Sequence, residues 1–351
     1  MKRSPLRYAA LVCLLFLPLH LAQAAGALTG ERIAALLHAE DPKALATVSG
    51  QTLYGAPLIR QMYTVRGYEP LWNAKAIAAF SNALGRLEND GLTPSDYRFT
   101  EIESQLSAPD VSALGPAEAA ELDILLTEAF LRAVYNLYYG KADPERLDPD
   151  INFARSYTGE DPVPFFLQHI AQARIDKVFD WASPKNERFQ WLRQGLARYR
   201  AHQAAGGWEP IPSGPTLKPR RSDPRVVLVR KRLAVTGDLP ASAVGGDDPA
   251  YFDDTLQEAV KRFQARHGIE VDGVIGAATL AAMNVPVKDR IDQIRVNLER
   301  GRWTLHEVYD QFLVVDIAGF DIYWVKDGKI VWNEQIQVGK EYTKTPGFKG
   351  E

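Results

Sequence analysis

Few residues in this chain could carry chemistry. Among 351 residues there is one cysteine, Cys13, and there are six histidines: His20, His38, His169, His202, His267 and His306. A thiolate is a potent nucleophile and a soft metal ligand, so the place of the cysteine decides which reactions are open. Cys13 lies in the apolar run Leu11 to Leu19, behind Lys2, Arg3 and Arg7 and ahead of Ala22-Gln23-Ala24. That is the pattern of a signal peptide over residues 1–24, cleaved before Ala25. Cleavage would leave an exported chain with no thiol, held in an oxidising space by packing alone. If the segment is retained, it is the chain's contact with the membrane. The histidines are isolated and lack metal-ligand spacing, which speaks against a zinc peptidase, and no metal is expected. No Gly-x-Ser-x-Gly, Ser-x-x-Lys or phosphate-cradling glycine loop occurs, and no carboxylate pair stands out for glycosidase work. Gln264, Arg266 and His267, at the end of an apolar-striped segment, could face a ligand. Solvated polar positions are the alternative.

The elements that must position such residues read as follows. Hydrophobic residues make up 46% and charged residues 24%, which suits two or three globular domains and excludes wholesale disorder. Lys plus Arg is 41 against 44 Asp plus Glu, so nucleic acid is not an expected partner. Residues 25–204 read as a helical domain. Its clearest helix is 122–138, where Leu122, Leu125, Leu126, Ala129, Phe130, Ala133, Val134, Leu137 and Tyr138 form one stripe. Others are predicted over 74–89, stopped by Asn89-Asp90-Gly91, and over 186–200. Residues 205–222, dense in Gly and Pro, read as a linker. It runs into Lys218, Arg220, Arg221, Arg225, Arg230, Lys231 and Arg232, which read as a solvated helix face rather than a polyanion site.

Residues 223–286 read as three short helices. The first starts at Asp223-Pro224, and the second opens on Asp254-Thr255-Leu256-Gln257 in the manner of a capping box. Leu256, Ala259, Val260 and Phe263 make the second stripe, Gly268 ends it, and the third closes at Asn284. Asp272-Gly273 and Gly276 are expected to turn with positive φ. A core this small should dock on a neighbour. A connecting helix spans 287–310. The period then falls to two: Phe312–Ile317 reads as a buried strand, Ile322 to Trp332 as a hairpin about Asp327-Gly328, and Gln335–Val338 as a further strand. Such strands leave an uncovered face, so 311–351 reads as the opening part of a longer β domain, in a truncated product or a fragment.

Residues Ala259 to Gly268 with Asp272 to Leu280 closely resemble the small three-helix peptidoglycan-binding module of bacterial wall enzymes. Tyr63 to Trp72, Asn89 to Tyr97 and Leu137 to Pro144 look like the scaffold domain of large periplasmic murein L,D-transpeptidases. Residues 312–351, with Gln337-Val338-Gly339-Lys340 and Thr343 to Gly347, are similar to the start of that family's catalytic domain. The resemblance implies a mainly α, multidomain protein: helical scaffold domain, three-helix module and incomplete C-terminal β domain. It implies work in the periplasm on peptidoglycan stem peptides and glycan, cross-linking them without metal or organic cofactor. The family's nucleophile is a cysteine within Ser-His-Gly-Cys that attacks a stem-peptide carbonyl to form a thioester. No segment of this chain matches it, so no catalytic residue is carried over and the chain alone is expected to be inactive. The alternatives are a non-catalytic peptidoglycan-binding protein and, disfavoured by the strand pattern, another wall hydrolase bearing the module.

Overall fold

A computed structural model describes residues 26–41, 43–107, 114–147, 159–245, 248–306, 310–317, 319–339 and 345. The expected signal peptide, with Cys13 and His20, lies outside these residues, as do 340–344. The chain is a mainly α multidomain protein with a small C-terminal antiparallel sheet. It divides into two units, Gln190–Leu298 and the remainder.

The first unit begins with helix α1, 26–37, and the short hairpin β1 (Ala46–Val48) and β2 (Gln51–Leu53), paired antiparallel. Helices α2 (Ala56–Val65), α3 (Ala74–Arg86), α4 (Phe99–Ser107), α5 (Pro116–Tyr139), α6 (Pro144–Leu147), α7 (Val163–Ala171) and α8 (Ile175–Ala182) follow. Asn73 starts α3, its side chain accepting from the Ala76 N–H at 3.0 Å. The stop at Asn89-Asp90-Gly91 is a 3₁₀ turn, Leu87–Asp90. Helix α5 extends the predicted stripe and buries Ile124, Phe130, Ala133 and Leu137. Around Phe130 the rings of Trp72, Phe80, Phe166 and Phe179 meet at centroid distances of 5.6–6.4 Å, mostly edge to face.

The three aromatic segments Tyr63 to Trp72, Asn89 to Tyr97 and Leu137 to Pro144 are joints of this core. Tyr63 Oη donates to Asp123 Oδ1 at 2.6 Å, and the Leu71 and Trp72 N–H groups donate to the same carboxylate at 2.9 and 3.0 Å. Trp72 Nε1 donates to Thr127 Oγ1. Asn136 Nδ2 donates to Tyr97 Oη, and Lys141 pairs with Asp96 at 2.6 Å. Scaffold is therefore their role.

Helix α9 (Glu187–Ala204) carries the chain into the second unit, built on α10 (Val226–Val235), α11 (Asp254–Arg266) and α12 (Ala277–Asn284), with α13 (Val287–Thr304) after them. Val226, Val229, Leu233, Leu256, Ala259, Val260, Phe263 and Met283 fill its core. Two local expectations are corrected. The N-cap of α11 is Asp253, accepting from Leu256 N at 2.7 Å, one residue before the expected box. Gly276 has φ −86, the extended start of α12 and no positive-φ turn.

The linker reading of 205–222 is also corrected. Ile211 and Leu217 are buried in the core of the second unit, Leu217 bridges Ile275, and the Ile211 backbone exchanges two hydrogen bonds with the Asn284 side chain. Gly and Pro kept this segment out of helix, not out of the core. It supplies the apolar surface the small helices needed.

After α13 come β3 (Gln311–Asp316), β4 (Asp321–Lys326) and β5 (Lys329–Gln335) in order β3-β4-β5, antiparallel throughout. Asp327 and Gly328 both have positive φ, 49° and 73°, which gives the primed two-residue turn the sequence asks for. The strands form but are not buried. Val325 alone is buried among them, while Leu313, Trp324, Ile330 and Trp332 are exposed. Residues 336–338 extend past β5 without forming a further strand.

Candidate functional site

The polar residues of the second unit sort into two groups. One is spent inside the fold. Gln264, expected to face a ligand, is 1% exposed. Its Nε2 donates to Asp272 Oδ1 and to the Val274 carbonyl at 2.8 and 2.9 Å, and its Oε1 accepts from Gly273 N at 2.8 Å. It fixes the loop between α11 and α12 instead. Gly273 sits at φ 73°, and a Cβ there would lie 2.8 Å from Gln257 Cγ, so the loop admits only glycine without strain. Arg230 is likewise satisfied, donating to the carbonyls of Pro249, Ala243 and Tyr251 and to Asp253 Oδ2.

The other group is not satisfied. Arg232 was expected on a solvated face and is 1% exposed. In α10 it flanks the Val229 and Leu233 stripe, so its stem packs on the core while its head needs partners. The guanidinium lies 3.7 Å over the Trp208 ring. Its Nε donates to the Met283 carbonyl at 2.9 Å and Nη1 to Thr236 Oγ1 at 3.2 Å, whereas Nη2 has no hydrogen-bond partner. Burial lowers its pKa to about 10. Arg290, from α13, donates to the Ala282 carbonyl and to Gln293 Oε1, and its Nε is buried without a partner. Among the described residues neither makes an ion pair.

Arg266 completes the cluster. It donates twice to Asp238, Nε at 2.8 Å and Nη2 at 2.6 Å, so the only carboxylate in the cluster is already engaged in a bidentate pair. Tyr199 of α9 stands against Arg266, and its ring centroid is 6.3 Å from that of Trp208. His267 stacks on Phe263 with centroids 3.9 Å apart. Its Nδ1 lies 2.8 Å from the Phe263 carbonyl, which can only accept, so Nδ1 carries the proton and Nε2 is left as an acceptor. Burial above all lowers its pKa to about 4; the Phe263 carbonyl opposes this, and Arg266, Arg290 and Arg232 add to it. His202 is shifted down too, by burial and then by Arg232 and Arg198.

The arrangement places three guanidinium groups, two neutral imidazoles, Trp208 and Tyr199 around one committed carboxylate. It is suited to an anion, above all a carboxylate, with aromatic surface beside it for the apolar part of a ligand. It is poorly suited to catalysis, because neither imidazole is oriented by a carboxylate or faces a nucleophile. Of the three residues expected from sequence, Arg266 and His267 fall in this cluster and Gln264 lies behind it. Arg232, Arg290, Trp208 and Tyr199 were missed. The only sequence signal for Arg232 was a charge inside a short apolar helix. Among the described residues no group of three or more His, Cys, Asp or Glu could hold a metal, and no helix is long and apolar enough to cross a membrane.

Comparison with known families bears on both units. Residues 57–196 match the family model described as "Scaffold domain", and residues 222–283 match the one described as "Putative peptidoglycan binding domain". No curated protein matches the chain. Arg232, Arg266 and His267 lie inside the second match, while Tyr199, Trp208 and Arg290 reach the cluster from outside it in sequence. A scaffold domain followed by this second domain fits an L,D-transpeptidase-like architecture and supports a role at the cell wall.

Proposed function

We propose that the chain binds peptidoglycan through its second unit, as the scaffold and wall-binding part of a murein L,D-transpeptidase-family protein acting in cross-linking and wall organisation. The observation that carries this is the Arg232–Arg266–Arg290 cluster, three guanidinium groups beside one carboxylate already engaged by Arg266, with Arg232 and Arg266 inside the matched residues and Arg290 just beyond them. Stem peptides of peptidoglycan end in free carboxylates, the ligand such a cluster accepts. The order of the two domain matches, with the Asp327-Gly328 hairpin after them, supports the family. The basic and apolar start of the chain, read as a signal peptide, supports action in the periplasm, where peptidoglycan lies. We assign no residue to acyl transfer, since Cys13 is the only cysteine. A second reading, a peptidoglycan-binding protein without catalysis, is favoured for the chain taken alone by that same count.

The test is co-sedimentation of the purified chain with insoluble sacculi. Wild type is expected in the pellet, and less so as salt rises, because exposed charge pairing is screened. Arg290→Gln removes a charged donor worth about 1.5–3 kcal/mol and should weaken binding about 10-fold or more. Recovery of wild type in the supernatant, or of the variant in the pellet at wild-type levels, would contradict the proposal.

A further inference from the structure

A hydroxyl and a carboxylate hold the guanidinium groups of the second unit together. Thr236 Oγ1 accepts from Arg232 Nη1 at 3.2 Å and from Arg266 Nη2 at 3.1 Å, and donates its one proton to Asp238 Oδ2 at 2.6 Å. Asp238 Oδ1 accepts from Arg266 Nε at 2.8 Å, and Oδ2 from Arg266 Nη2 at 2.6 Å. Arg262 donates Nε and Nη2 to the Asp238 carbonyl at 3.2 and 2.8 Å, so the backbone that carries the carboxylate is fixed as well. The side chain of Asp238 is 6% exposed and that of Arg266 is 36% exposed. One planar edge of Arg266, the geometry that suits a carboxylate best, is thus closed from within by the chain's own carboxylate.

We propose that Asp238 is a resident counter-ion of this site, a role that rests on the carboxylate reading given above. It occupies the place on Arg266 that a ligand carboxylate would take, and so holds the affinity low and sets how sharply charged ligands are separated from neutral ones. Arg232, Arg266 and Arg290 bring three positive charges and Asp238 one negative. Because Asp238 is tethered, it competes at a high effective concentration and without the freedom that a free ligand loses on binding. A ligand carboxylate therefore meets the positive field of the cluster, and not the inner edge of Arg266. Removing the charge of Asp238 raises that field by one unit and strengthens binding of carboxylates alone. A merely structural salt bridge would do the opposite: its loss would loosen the site and weaken charged and neutral ligands alike.

The test is calorimetric titration of the full chain, wild type and Asp238→Asn, with a soluble muropeptide and with the same muropeptide amidated at its free carboxylates. The variant is expected to bind the free form about 10-fold more tightly than wild type does, a change of about 1.4 kcal/mol that one unit charge supplies near a protein surface. Its affinity for the amidated form should match wild type, so the preference for free carboxylate widens about 10-fold. Adding Arg290→Gln to Asp238→Asn restores the net charge and should return the free-form affinity to near the wild-type value. Equal or weaker binding of the free form by Asp238→Asn, with wild type still preferring that form, would overturn this proposal alone. Wild type without any preference for the free form would remove the carboxylate reading and this role with it. If Asp238→Asn does not fold, the wild type decides by nuclear magnetic resonance. The Arg266 Nε–H signal should keep its position as muropeptide is added, since Asp238 stays in place, and its displacement would overturn the proposal.

Discussion

Asp123 is the residue on which the first unit turns. Its carboxylate gathers Tyr63 Oη and the Leu71 and Trp72 N–H groups at 5% exposure, tying the segment between α2 and α3 to α5. Sequence gave no warning of this, because a single Asp between Leu122 and Ile124 reads as the solvent edge of a stripe. The same blindness hid Arg232, whose burial depends on Trp208 and Met283, both distant in the chain. Replacing Asp123 by Ala strands three buried donors and should cost about 3–5 kcal/mol in urea unfolding. Asp123→Asn keeps one acceptor but turns an amide toward a backbone donor, and should cost less, about 1–3 kcal/mol. A change below about 0.5 kcal/mol for either would remove the joint assigned to this residue.

At the scale of elements, what was legible was whatever repeats locally. The stripe of α5, the Asp327-Gly328 hairpin and the stripe of α11 all follow from periodicity and turn chemistry read over a few residues. What was not legible depended on partners far along the chain. Composition said that 205–222 is not helical; it could not say that Ile211 and Leu217 find a core at Asn284 and Ile275. The apolar alternation of β3 predicted a strand correctly, but burial needs a second layer, and among the described residues none covers it. The candidate site divides in the same way: Arg266 and His267 came from one local segment, whereas their companions come from α9, the 205–222 segment, α10 and α13. The α11–α12 loop gives an element-scale prediction. Gln264→Leu leaves the Gly273 N–H without its acceptor and should destabilise the second unit by about 2–3 kcal/mol, read as a loss in thermal unfolding. Wild-type stability would show that Gln264 does not hold the loop.

On the scale of the whole molecule, the two units should answer pH with opposite sign. In the first, burial raises Asp123 to about 6 and raises Glu128 as well, against the opposing pull of their hydrogen bonds and arginines. A carboxyl whose folded pKa is raised binds more protons folded than unfolded between about 4 and 6. Its unit therefore loses stability as pH rises through that window. In the second, His267 is lowered to about 4 and His202 is lowered too, so the unfolded state takes up protons first, and stability is lost as pH falls from about 6.5 to 4. Hydrogen exchange on the full chain, corrected for the intrinsic rate at each pH, should show protection in α5 falling and protection in α11 rising between pH 4.5 and 6.5. Changes of the same sign in both would contradict this electrostatic account.

The central claim is that the second unit recognises peptidoglycan by its carboxylates. The most direct measurement compares the affinity of the chain for a soluble muropeptide with that for the same muropeptide amidated at its free carboxylates. At least about a 10-fold loss is expected on amidation, one or more charged hydrogen bonds to the cluster being removed. Equal affinity for the two ligands would contradict it.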